Sequence, residues 1–71
     1  MTKIYLNLAS PPDRELAVVQ LMVESEQVAE VNQESESLQI EIYGRRDGLP
    51  WTIDLDDLLH ALDNAKTKLD R

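Results

Sequence analysis

The chain has 71 residues, of which 14 are acidic and seven are basic, so its net charge is −7 at pH 7. A chain of this length forms one small domain, and we expect residues 1–71 to fold as a single unit. The absence of cysteine excludes disulfides and thiol chemistry. The negative charge disfavours direct binding to nucleic-acid phosphates and would speed encounter with a basic protein. The alternative, which we favour for the charge alone, is that acidity keeps a small protein soluble.

Membrane and export signals are also missing from the sequence. No apolar run approaches the ~20 residues that a membrane span requires, and the first residues do not resemble a signal peptide. We therefore expect a cytoplasmic protein without membrane contact. Small cores are often completed by oligomerisation, so the length also leaves a homodimer open.

The first half of the chain predicts a strand followed by a helix. Apolar residues alternate with polar ones around Leu6, which is typical of a strand with one apolar face. Ser10 and Pro11 are a good helix start, since serine caps and proline fits the first helical position. We predict a helix from Pro11 to about Glu24. The β-branched valines leave a strand from Ala17 to Val23 as the alternative.

The middle of the chain predicts strands separated by polar turns. Residues 27–31 indicate a weak strand, residues 32–36 a hairpin loop, and residues 38–43 the clearest alternating strand of the sequence. Asp47-Gly48 is a strong hairpin cue. A short strand over residues 51–53 is predicted to follow, entered after Pro50.

The C-terminal segment predicts a capped amphipathic helix. Asp54 is the cap, Asp57 occupies the first turn, and Ile53 and Leu58 have the spacing of a hydrophobic staple. The basic residues near the end, Lys66, Lys68 and Arg71, suit the helix dipole. The apolar stripe comprises Leu58, Leu62, Ala65 and Leu69, with Leu59 flanking it.

These elements predict a two-layer α+β fold of order β-α-β-β-β-α. A mostly antiparallel sheet of three or four strands is expected to pack its apolar face against two helices. Trp51 is the largest candidate core residue. The other predicted core residues are Ile4, Leu6, Leu8, Leu16, Val19, Val23, Leu38, Ile40, Ile42, Ile53, Leu58, Leu62 and Leu69.

Catalytic and cofactor chemistry find little support. His60 is the only histidine, and helical spacing places it opposite the apolar stripe, beside Asp56 and Asp63. Those three side chains suit weak divalent-metal binding or simply a polar helix face, and we favour the polar face. Neither of the glycine-rich phosphate-binding patterns, GxGxxG and GxxxxGK(S/T), occurs. We therefore predict no enzyme activity, no catalytic residue, no cofactor and no metal.

The strongest functional signal is an acidic stretch. From Glu15 through Gly44 there is no lysine or arginine. We predict that glutamates of this stretch bind a basic partner, and the alternative is a charged edge that prevents aggregation. The predicted partner-binding residues are Glu24, Glu26, Glu30, Glu34, Glu36 and Glu41.

A smaller signal lies next to it, at Arg45 and Arg46. With Tyr43 nearby, these arginines suit a phosphate or carboxylate clamp or simply a solubilising turn, and we favour the turn. Taken together, the sequence predicts a small acidic non-catalytic domain of the inhibitor or immunity-protein type that binds a basic protein. The alternative is a self-associating, homodimeric accessory domain.

Overall fold

The computed structural model describes residues 3–69, which form a four-stranded antiparallel sheet and one helix. The α+β class is confirmed, whereas the second helix is absent from this part of the chain. The strands follow one another in the sheet in chain order. They are β1 (Ile4–Ala9), β2 (Val18–Val23), β3 (Glu26–Asn32) and β4 (Gln39–Ile42), and the helix is α1 (Leu55–Leu69).

The helix predicted from Pro11 to Glu24 is wrong, and the alternative strand is close to what is found. Residues 10–17 form an irregular loop, in which the Arg14 N–H donates to the Pro11 carbonyl at 3.1 Å, and β2 follows. Strand β2 lies inside the sheet, and Val18, Val19 and Leu21 are fully buried. A strand buried on both faces shows no alternation, which is why its pattern suggested a helix.

The strand register places one row of apolar side chains across the sheet. Leu6 lies opposite Leu21, Leu21 opposite Ala29, and Ala29 opposite Ile42. Because directly opposed residues point to the same face, this row defines the face on which α1 packs. A bulge at Leu21/Met22 interrupts the pairing of β2 with β3, and it brings Val28 into the core.

The predicted cap of the C-terminal helix is confirmed. The Asp57 N–H donates to Asp54 Oδ1 at 3.1 Å, and the Leu58 N–H donates to the Asp54 carbonyl at 3.0 Å. The buried side of α1 is centred on small residues, Ala61 and Ala65, which let the helix approach the sheet closely. Consequently the predicted leucine stripe is rotated: Leu69 is buried, Leu58 and Leu62 are partly buried, and Leu59 is exposed. Arg71 lies outside the described residues.

The strand predicted over residues 51–53 is not formed. Residues 43–54 are an irregular connection in which Gly48 has a φ of +77° and donates to the Arg45 carbonyl. The Asp47-Gly48 turn is therefore present without a hairpin. Trp51 packs against the core and its Nε1 donates to the Tyr43 carbonyl at 2.9 Å. This bond takes the place of the strand pairing that the sequence suggested.

The core differs from the predicted one at several positions. Four predicted core residues are exposed, in the loop or along strands β1 and β4: Leu8 (55%), Leu16 (50%), Ile40 (44%) and Ile42 (73%). Ala65 of the predicted apolar stripe is fully buried, and the buried residues that were not predicted include Val18, Leu21, Val28, Ala29, Val31 and Ala61. The centre of the core therefore lies under β2 and β3.

Leu21→Ala is expected to lower the free energy of unfolding by about 2–5 kcal/mol, because it opens a cavity at a fully buried position. Leu16→Ala is the matched control, since Leu16 is half exposed in the loop; we expect a change within about 0.5 kcal/mol. Urea titration followed by circular dichroism measures both. Equal effects at the two positions would contradict the position of β2 in the core.

Candidate functional site

An ion-pair cluster lies on the face of the sheet opposite α1. Arg14 Nε donates to Glu30 Oε2 at 3.0 Å, and Arg14 Nη2 lies 2.9 Å from the same oxygen. The same Nη2 also binds the Glu41 carboxylate, to which Asn32 Nδ2 donates at 2.9 Å. We call these four residues, Arg14, Glu30, Asn32 and Glu41, the Arg14 cluster.

Strand register explains why an arginine is needed at this point. Glu30 and Glu41 lie directly opposite each other on β3 and β4, where two like charges repel. Glu30 is also only 6% exposed, and a buried carboxylate is strongly unfavourable without a partner. Arg14, which reaches over from the loop of residues 10–17, contacts both carboxylates. The cluster therefore fixes this loop on the sheet.

Electrostatics raise the pKa of Arg14 in the cluster and of Tyr43 beside it. Partial burial acts to lower the pKa of Arg14, but Glu30 and Glu41 outweigh it and the pKa is raised. Tyr43 lies nearby, and burial together with the charges of Glu30 and Glu41 raises the pKa of its hydroxyl. Arg14 thus remains a cation and Tyr43 a neutral phenol.

The other predicted glutamates lie at the two ends of β3. Glu24 is in the β2–β3 turn at a φ of +55°, and the carboxylate of Glu26 accepts from the Arg46 N–H at 2.7 Å. Glu34 and Glu36 lie in the loop of residues 33–38 at the other end. The length of β3, about 20 Å at ~3.3 Å per residue, separates the two groups. The structure thus divides the six glutamates among three places.

The loop of residues 33–38 is held firmly against the loop of residues 10–17. The Glu15 N–H donates to Glu34 Oε1 at 3.1 Å, and Gln33 Nε2 donates to the Ala17 carbonyl at 3.0 Å. Both contacts lie beside the Arg14 cluster. They hold Glu15 and Glu34, which belong to separate loops, next to each other at one end of the sheet. We call this group, Glu15, Glu34 and Glu36, the acidic loop end.

Arg45 and Arg46 do not form a shared clamp. Arg45 Nη2 donates to Asp47 Oδ2 at 2.7 Å, and its guanidinium carbon lies 5.6 Å from the centre of the Trp51 ring. Arg46 contributes its backbone N–H to Glu26. The cation–π contact of Arg45 was missed at the sequence level, where Tyr43 was the expected aromatic neighbour. Arg45 is thus engaged within its own turn.

His60 lies at an open cleft between β1 and α1. The cleft has a volume of about 460 Å³ and is lined by Lys3, Ile4, Leu6, Asp57, His60, Ala61 and Asn64. In the chain between residues 3 and 69, no three His, Asp or Glu side chains come close enough together to hold a metal ion. The cleft combines polar and apolar groups.

A second surface, which sequence reasoning missed, lies between β4 and α1. Ile40 and Ile42 of β4 are exposed on the face that carries α1. Leu55 and Leu59 are also exposed, and helical spacing puts them on the same side of α1 as Leu62. Leu62 lines an open cleft of about 370 Å³ with Leu38, Ile40 and Val31. We call the exposed side chains Ile40, Ile42, Leu55 and Leu59 the β4–α1 ledge.

Comparison with known proteins adds no relative. A scan against protein-family models, a search of curated proteins and a search of solved structures each found no match to this chain. Within the described part of the chain, α1 is too short and too polar to cross a membrane.

Arg14→Met is expected to lower the urea midpoint, because the apolar stem is kept while the buried Glu30 loses its cation. Adding Glu30→Gln should restore part of the loss, since a neutral amide tolerates burial better than an unpaired carboxylate. Arg45→Met removes a more exposed ion pair and should have a smaller effect. The Arg14 cluster would lose its structural role if the two arginine variants behaved alike.

Proposed function

We propose that this protein is a small acidic, non-catalytic binding domain of the inhibitor or immunity-protein type, whose partner is a basic protein. The observation that carries the proposal is the acidic loop end, where two loops bring Glu15 and Glu34 side by side. The net charge of −7 reinforces the local negative potential. Such a potential accelerates encounter with a cationic partner and disfavours acidic ones.

The Arg14 cluster supports this proposal because it makes the acidic loop end rigid. Carboxylates that are already held in place lose less conformational entropy on binding than mobile ones do. In this proposal Glu30 and Glu41 act on the partner indirectly, by holding Arg14 and its loop. Glu34 and Glu36 face the partner, while Glu24 and Glu26 extend the negative potential to the far end of β3.

The test begins with capture of proteins from an extract of the source organism on the immobilised domain at low salt. Bound proteins are eluted with a sodium chloride gradient and identified by mass spectrometry. We expect the specific partner to be basic and to elute early in the gradient, because exposed charge pairs are screened by salt. A partner that resists high salt would contradict binding through the acidic loop end.

Glu34→Gln/Glu36→Gln is expected to weaken binding of the captured protein about fivefold, which corresponds to two exposed charge pairs at about 0.5 kcal/mol each. Glutamine still accepts a hydrogen bond, so the contact of position 34 with the Glu15 N–H is retained. The matched control is Asp56→Asn/Asp63→Asn on the exposed side of α1, which changes the net charge equally. Isothermal titration calorimetry measures the affinity of the unchanged protein and of both variants for the captured protein. Equal losses of affinity in the two variants would mean that net charge alone causes the effect.

Self-association is a second candidate function, favoured by the β4–α1 ledge. Exposed apolar side chains beside an edge strand are typical of interaction surfaces. Homodimerisation would cover this ledge, in keeping with the small size of the core. The two candidate functions use different residues and are compatible with each other.

For self-association we expect the mass measured by light scattering to rise with protein concentration from 8.1 kDa toward twice that value. Added salt should promote it, because two copies of charge −7 repel each other. This salt response is opposite in sign to that of binding a basic partner. A mass that stays at the monomer value across the concentration range would exclude this function.

A further inference from the structure

We infer that β4 pairs antiparallel with β4 of a second copy of this chain, about a two-fold axis at Ile40. The inference rests on self-association, the second candidate function. It adds the strand that mediates pairing, the register and the face that is covered. Edge-to-edge pairing of this kind joins two four-stranded sheets into one continuous sheet.

The backbone of β4 is available for pairing. The Tyr43 N–H donates to the Val28 carbonyl at 2.8 Å, and Glu41 lies opposite Glu30. Since backbone groups alternate in direction along an antiparallel strand, the N–H and C=O groups of Ile40 and Ile42 point away from β3. Within residues 3–69, β4 pairs with β3 alone. The strand also lacks the proline and lysine that often protect edges.

The flanking side chains favour the β4 edge over the β1 edge. Polar residues line the cleft against α1 at both edges, namely Lys3, Asp57 and His60 beside β1 and Asp63 and Lys66 beside β4. The edges differ in that the helix side near β4 also presents the exposed leucines Leu55 and Leu59. An added strand with apolar side chains on the helix face would cover exposed leucines of α1 only at the β4 edge.

Side-chain chemistry selects the register. Opposed residues must share a face, so the two-fold axis must lie midway between the two copies of one residue. That residue could be Ile40, Glu41 or Ile42. An axis at Glu41 opposes two carboxylates, which is unfavourable. With an axis at Ile42 the pairing would extend past the end of β4, so fewer strand residues would be paired.

An axis at Ile40 gives only favourable pairs. Ile40 then faces Ile40 of the second copy, and Leu38 faces Ile42 of the second copy, all on the helix face. On the other face Gln39 lies opposite Glu41 of the second copy, so its amide can donate to that carboxylate. The sequence of β4 and its flanking leucine is therefore self-complementary about Ile40.

The size of this contact sets the expected strength. Pairing of one short strand buries less than the ~1,200 Å² of a standard specific interface, so the dimer should be weak and concentration-dependent. The charge of −7 on each copy also weakens the dimer, because the two copies repel each other. A dimer of this kind is best detected by covalent trapping as well as by mass.

The test uses single cysteines in the full chain, which has none of its own. Ile40→Cys places two Cα atoms about 5.5 Å apart across the axis, within disulfide range. Ile42→Cys tests the register, since its two Cα atoms would be about 14 Å apart. Leu8→Cys is the matched control, an exposed strand residue at the opposite edge. Under mild oxidation we expect Ile40→Cys to form covalent dimer at least about tenfold faster than either of the others.

Each other outcome is informative. Faster cross-linking of Ile42→Cys than of Ile40→Cys would overturn the register, and equally fast cross-linking of Leu8→Cys would overturn the choice of β4. As a non-covalent test, Ile42→Lys should abolish the rise in mass with concentration, whereas Leu8→Lys should not. A wild-type chain that stays monomeric refutes self-association itself. A wild-type dimer that Ile42→Lys leaves intact refutes only this interface.

Discussion

Helix α1 is too narrow to cover the whole sheet, and this constraint shapes the rest of the molecule. A helix with its side chains is about 10 Å wide, whereas neighbouring strands are about 4.8 Å apart, so one helix covers about two strands. In residues 3–69, α1 packs mainly on β1 and β2. Fully buried residues therefore gather in β2, and the isoleucines of β4 remain exposed.

The opposite face of the sheet has no helix within the described residues, and the loop of residues 10–17 covers part of it. Ion pairs hold this loop on the sheet. Glu30 is buried on β3 and Glu41 lies opposite it, so the loop must bring a cation, and Arg14 supplies it. The acidic stretch that suggested a binding surface thus serves two purposes. Glu30 and Glu41 hold the loop through Arg14, whereas Glu34 and Glu36 are exposed at the acidic loop end.

Sequence patterns predicted those elements whose signals are local. The Asp54 cap, the helix after it, the strand around Ile40 and the polar loop before that strand all follow from neighbouring residues. The helix predicted from Pro11 failed because β2 is buried on both faces, and burial of that kind depends on distant parts of the chain. The ion pair of Arg14 with Glu30 and Glu41 joins three separate segments. Its only sequence signal was that Arg14 directly precedes the stretch without basic residues.

The two proposed surfaces use different parts of the sheet, since the acidic loop end lies at one end of it, beside the Arg14 cluster, and the pairing surface lies at the β4 edge. Glu41 and the Arg14 cluster face away from α1, whereas Ile40 and Ile42 face toward it. Pairing of two β4 strands would therefore place both helices on one face and both Arg14 clusters on the other. The two acidic loop ends would then flank a shared anionic surface. A basic partner with two contact points gains affinity from such an arrangement without any new type of contact. Salt would strengthen the pairing of the two copies and weaken their hold on that partner, so the paired state and the binding reaction respond to ionic strength in opposite directions.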